Sequence, residues 1–257
     1  MKNSSKKKKL LLIPLAISLA INAVLLVAVV IAERQGHVYS LALERRGIIS
    51  VPDKAHPDYW ALNSWRNTVE KLHQEFDVVF FGNSITRGSD FQTFFPTLKI
   101  LNLGYTGDNL SGMLRRVPAL QAAMPKKIFI MAGTNDLVHL SIDKYVQHYD
   151  ALLAAIHDSL PKAQIYIESI IPSNHQMAHY APNDKIREAN AQIKSLAQEK
   201  GYTFIDLYSL YADKNDELPA NLTTDGVHLY PQAYKRWADA IRPFVDTVME
   251  EQDTHER

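Results

Sequence analysis

Five short apolar runs, set between longer stretches of helical periodicity, restrict what this chain can fold into more than any other feature. They are Val78–Phe81, Ile100–Leu103, Ile128–Ala132, Ile165–Glu168 and Thr203–Ile205. Stretches with helical spacing cover 108–124, 143–159, 184–200 and 231–247. In the first of them Leu110, Leu114, Val117 and Leu120 mark an apolar stripe. A parallel strand covered on both faces is apolar throughout rather than alternating, and parallel neighbours need crossover helices to connect them. The pattern therefore predicts an α/β domain with a five-stranded parallel sheet between helices. In such a sheet a site forms beyond the carboxyl ends of the strands.

The N-terminus has a different character. Lys2 and Lys6 to Lys9 precede residues 10–32, which carry no charged side chain and only Pro14, Ser18 and Asn22 among the aliphatics. A helix rising about 1.5 Å per residue spans a hydrocarbon core of roughly 30 Å over this length. The lysines place the N-terminus in the cytoplasm and send the rest across. The expected organisation is a basic cytoplasmic segment at 1–9, a transmembrane anchor at 10–32, a linker at 33–57 and a catalytic domain at 58–257, held outside the cytoplasm on a single pass through the cell membrane. The alternative is a signal peptide cleaved after Val30-Ile31-Ala32, although signal cores are usually shorter, about 7–15 residues. Trp65, Val69 and Leu72 give 58–75 an amphipathic helical face. Lys plus Arg total 28 and Asp plus Glu total 28, so nothing in the charge suggests a nucleic-acid partner. With no cysteine, the chain has no disulfide, thiolate metal site or Cys nucleophile.

Polar motifs follow the apolar runs. They are Gly82-Asn83-Ser84-Ile85-Thr86, Asn102-Leu103-Gly104, Gly133-Thr134-Asn135-Asp136 and, before the last helix, Asp225-Gly226-Val227-His228. Taken singly, each reads as well as a cap or a turn. Together they supply a reaction. A serine hydroxyl needs a positioned base, which His228 can be, and Asp225 three residues earlier can orient the imidazole. The Ser84 amide at a helix start, the Gly104 amide and the Asn135 side chain are candidate oxyanion donors.

These four blocks, in this order, resemble the SGNH hydrolases, also called the GDSL family. The family's signature residues match Ser84, Gly104, Asn135 and His228, and its triad acid matches Asp225, over about residues 76–247. The phrases GNSIT, GTNDL and DGVHL are similar to bacterial carbohydrate O-acetylesterases and to relatives of platelet-activating-factor acetylhydrolase. The resemblance implies a flavodoxin-like three-layer α/β/α sandwich and a serine esterase that needs no metal or organic cofactor. Asn83 departs from the family name, which puts Asp there, but Asn supports similar turn geometry. Thr86 replaces the second glycine of the Gly-x-Ser-x-Gly elbow, which argues against the α/β-hydrolase fold.

On that resemblance and the external topology, the expected substrate is a short-chain, chiefly acetyl, ester on carbohydrate. A lipid-acting esterase such as a lysophospholipase, acyl transfer to a second sugar, and a catalytically idle carbohydrate-binding domain stand as alternatives. His175 and His179 have metal-like spacing but no evident third ligand, and read as loop residues. Asp136 is expected to brace the Asn135 loop, Asp206 to hold a turn and Trp237 to pack in the core.

Overall fold

Each of the five apolar runs is a strand. The computed structural model describes residues 75–178 and 180–253, with side chains up to residue 246. The expected anchor, the linker, all but the last residue of the helix expected over 58–75, and His179 lie outside the described residues. Strands β1 (Val78–Gly82), β2 (Ile100–Gly104), β3 (Lys127–Met131), β4 (Gln164–Glu168) and β5 (Thr203–Ile205) form one parallel sheet in the order β2-β1-β3-β4-β5. Helices α1 (Ser84–Arg87) and α2 (Phe91–Phe94) follow β1, and α3 (Leu110–Ala122), α4 (Ile142–Ser159) and α5 (Asn183–Glu199) make the next crossovers. The short α6 (Tyr208–Tyr211) and the long α7 (Tyr234–Asp253) complete the chain. Among the described residues no helix is long and apolar enough to cross a membrane.

Both faces of the sheet are covered, which explains why the strands are apolar without alternation. Val79, Phe81, Ile128, Ile130, Ile165 and Ile167 pack against α3, α4 and α5. Val78, Phe80, Phe129, Met131 and Tyr166 face the other way, toward Phe91, Trp237, Ile241 and Val245. The result is three layers, with Phe80 stacked on Phe91 and Phe91 edge-on to Trp237.

The stripe expected on α3 holds at Leu110, Val117 and Leu120, which are buried, but Leu114 is 39% exposed and Met113 is buried in its place. At 3.6 residues per turn the i+3 and i+4 positions straddle the contact line, and here Met113 takes the inner side. The last helix also begins differently, since Pro231–Ala233 forms a 3-10 turn before α7. The strand order reverses between β1 and β3, which opens a crevice at their carboxyl ends.

Candidate active site

Ser84 opens α1 at this crevice. Asn83 caps the helix with its side-chain oxygen, which accepts the Ile85 amide at 2.9 Å. The amide oxygen thus makes the capping bond that a carboxylate would make, so the Asp-to-Asn departure leaves the turn intact. A Cβ at Gly82 would lie 2.2 Å from Thr86 Oγ1 and 2.7 Å from Met131 O, so only glycine lets α1 fold back over the strand end. The Tyr234 hydroxyl donates to Ile85 O at 2.7 Å. Asn102 Nδ2 donates to Thr86 O at 2.8 Å and to Ser89 O at 2.7 Å. A helix of one turn cannot hold itself, and these bonds fix it from two sides.

Asp225 and His228 come from a turn that is tied at both ends. Thr223 is fully buried; its hydroxyl accepts the Gly226 amide at 2.9 Å and donates to His228 O at 2.8 Å. Asn174 N donates to Gly226 O at 2.8 Å. Gly226 has φ +94°, and a Cβ there would lie 2.8 Å from Asn174 O. Inside the turn, Asp225 Oδ1 accepts the amides of Val227 at 3.0 Å and His228 at 2.8 Å. Burial pushes the Asp225 carboxyl up, but these amides and the His228 ring outweigh it and hold the group below the usual carboxylate range.

A continuous chain of hydrogen bonds results. His228 Nδ1 lies 2.6 Å from Asp225 Oδ2, and His228 Nε2 lies 2.8 Å from Ser84 Oγ. An ionised Asp225 only accepts, so it places the ring proton on Nδ1 and leaves the Nε2 lone pair to the serine hydroxyl. Ser84, Asn135 and His228 are half-buried and Asp225 is exposed, so the chain runs from the crevice to the surface.

The three candidate oxyanion donors differ in what they already bond. The Ser84 amide sits in the first turn of α1, where no intrahelical acceptor exists. Asn135 Nδ2 donates to Asp108 O at 2.6 Å, and a primary amide has a second hydrogen to give. The Gly104 amide donates its single hydrogen to Asn102 Oδ1 at 2.8 Å, so it can serve an oxyanion only by sharing it. The glycine itself is required for another reason, because a Cβ at 104 would lie 2.2 Å from Arg87 N.

The other residues singled out by the sequence hold turns, loops and the core. Asp136 accepts the Leu110 amide at the start of α3, at 3.1 and 3.2 Å, and so holds the Asn135 loop. Asp206 accepts Ser209 N and Oγ at a turn. His175 braces its loop, with Nδ1 3.0 Å from Glu217 Oε1 and Nε2 3.2 Å from Ala181 O. Trp237 is fully buried and donates Nε1 to Glu168 Oε1 at 2.5 Å. Thr223, Asn174, Tyr234 and the Arg116–Asp108 pair escaped notice in the sequence. All but Thr223, which bonds within its own turn, act on the site across long sequence separation, and none bears a local signature.

This architecture defines a class, the α/β acylhydrolases with a serine at the end of the first strand. Residues 80–236, more than half of the chain, match the GDSL-like lipase/acylhydrolase family, and the chain belongs to that family. No curated protein matches the sequence. Among solved structures the chain is similar to a GDSL-like lipase from Bacteroides thetaiotaomicron, with 23% identity, a TM-score of 0.63, and coverage of 73% of this chain and 98% of that one. It is also similar to an acetyl xylan esterase, at 21% identity and TM-score 0.56 over 65% and 98% of the two chains. A carbohydrate esterase of family 3 from Talaromyces cellulolyticus gives 18% identity and TM-score 0.56 over 68% and 98%. Likenesses at these identities establish the fold.

Proposed function

We propose that this acylhydrolase is a serine esterase that removes short acyl groups, chiefly acetyl, from carbohydrate through a Ser84-His228-Asp225 triad. The observation that carries the mechanism is the unbroken chain from Ser84 Oγ through both ring nitrogens of His228 to Asp225. Ser84 Oγ attacks the ester carbonyl as His228 Nε2 takes its proton, and Asp225 stabilises the imidazolium. The Ser84 amide and the second hydrogen of Asn135 Nδ2 receive the oxyanion, and the Gly104 amide joins them by sharing with Asn102. Collapse expels the alcohol, which His228 protonates. Water then attacks the acyl-enzyme by the same route, with His228 as base, and releases the carboxylic acid.

The preference for acetylated carbohydrate is supported by the names of two structural neighbours, an acetyl xylan esterase and a carbohydrate esterase. The location is inferred from sequence: lysines, then an uncharged run at 10–32, fit an anchor that holds the domain outside the cytoplasm.

The test is hydrolysis by the purified full-length protein of acyl esters of graded chain length. Acetyl esters should turn over fastest, and Ser84→Ala should abolish turnover with the fold retained by circular dichroism. Retained turnover in Ser84→Ala would remove the mechanism. A preference for long acyl chains would move the substrate to lipid and leave the mechanism in place.

A further inference from the structure

Behind the oxyanion donors lies a buried ion pair that the reaction scheme above does not use. Arg116, on the inner face of α3, is 4% exposed, and Asp108, which precedes that helix, is 8% exposed. The Arg116 guanidinium contacts Asp108 Oδ2 through Nε at 2.8 Å and through Nη2. Two further hydrogens go to the sheet. Nη1 donates to Leu103 O at 2.7 Å and Nη2 to Gly82 O at 3.0 Å. Those carbonyls belong to the residues just before Gly104 and Asn83, at the ends of β2 and β1. The guanidinium carbon also lies 4.7 Å from the centre of the Phe81 ring, which closes the remaining side.

Asp108 passes this registration onward. Its backbone carbonyl accepts Asn135 Nδ2 at 2.6 Å. A Cβ at Gly112 would lie 1.8 Å from Asp108 Oδ1, so the helix leaves room for the carboxylate only because residue 112 is glycine. The strand ends that carry Ser84 and Gly104 are thus linked through Arg116 and Asp108 to the side chain of Asn135.

We infer that Arg116 is a positioning residue for the oxyanion site, holding the Asn135 amide in register with Ser84 through Asp108. This deepens the esterase reading and rests on it. Only a planar fork with several donors can meet one carboxylate and two carbonyls in different directions at once. A lysine ammonium keeps the charge and the pairing with Asp108 but releases the strand ends. An amide free to drift by about 1 Å stabilises the transition state less and the bound ester almost equally, so the loss belongs to kcat.

The experiment is a double-mutant cycle between Arg116→Lys and Asn135→Ala on an activated acetyl ester, with folding checked by circular dichroism. In the wild-type background Arg116→Lys should lower kcat about ten- to a hundredfold with KM changed less than about threefold. In the Asn135→Ala background the same substitution should cost less than about threefold, because the group it positions is gone. An equal loss of kcat in both backgrounds would overturn the inference, as would an unchanged kcat with raised KM. If Arg116→Lys does not fold, Asp108→Asn gives the same cycle with the same two outcomes, since it keeps the backbone carbonyl and removes the charge that holds Arg116. Wild type and Ser84→Ala are run alongside. A wild-type protein without esterase activity, or an active Ser84→Ala, would remove the esterase reading itself, which separates that failure from the failure of the cycle.

Discussion

Asn135 shows how much one hydrogen bond to an oxyanion is expected to contribute to rate. Asn135→Ala should lower kcat by about a hundred- to a thousandfold with little change in KM, because an oxyanion donor acts on the transition state. Steady-state kinetics on an acetyl ester checks this, and a rise in KM at constant kcat would make Asn135 a ground-state contact. Gly226 gives a second prediction at the same scale. Alanine there must take φ +94° and bring a Cβ to 2.8 Å from Asn174 O, which shifts the turn between Asp225 and His228. Gly226→Ala should reduce kcat by about tenfold or more through misplacement of the base, and full turnover would show that the turn tolerates the strain. Ser84, Asn135, Asp225 and His228 were legible as candidates because each sits in a short block whose chemistry is local. The sequence did not disclose that the Gly104 amide bonds to Asn102 Oδ1, or that Arg116 reaches Gly82 O and Leu103 O. Those are facts of tertiary contact, and a glycine or an arginine looks the same in the chain whatever it touches.

Among the elements, β4 and α7 meet at an unusual pair. Glu168 ends β4 fully buried, with Trp237 Nε1 donating to Oε1 at 2.5 Å. Burial raises its carboxyl from 4.5 to about 8, against the smaller pull of the Trp237 bond. The folded protein therefore binds a proton that the unfolded chain releases between these values. The contribution of Glu168 to stability should be greatest below 4.5, decline as pH rises toward about 8, and level off above it. Glu168→Gln keeps the shape and an acceptor without the charge. Its melting temperature should exceed that of the wild type at pH 8, with the gap closing as pH falls toward 4.5. A gap that does not vary with pH would show that Glu168 titrates as an ordinary carboxylate. The central strands β1, β3 and β4 were legible because both of their faces are buried, and the edge strand β5 was located to the residue although it is less buried. The inward turn of Met113 rather than Leu114 on α3 was not legible, because both are apolar and only packing decides which turns inward. The one-turn α1 and α2 were also hidden, since four residues hold too little periodicity to read.

At the scale of the molecule, the strand order β2-β1-β3-β4-β5 explains why four distant sequence blocks converge. Ser84 and Asn135 follow the ends of β1 and β3 and Gly104 ends β2, the strands at the reversal of order, and the 223–229 turn brings Asp225 and His228 to the same crevice. Alternation of apolar runs and helices indicated the sheet and its parallel sense. The strand order came from no pattern in the chain, because the order of strands depends on which helices pack on which face. The central claim is that Ser84 is the nucleophile activated by His228. Its most direct measurement is labelling with a fluorophosphonate followed by peptide mapping. The label should fall on the peptide containing Ser84, and His228→Ala should slow labelling severely while leaving the fold intact. A label on another serine, or labelling of Ser84 at an undiminished rate in His228→Ala, would contradict the account.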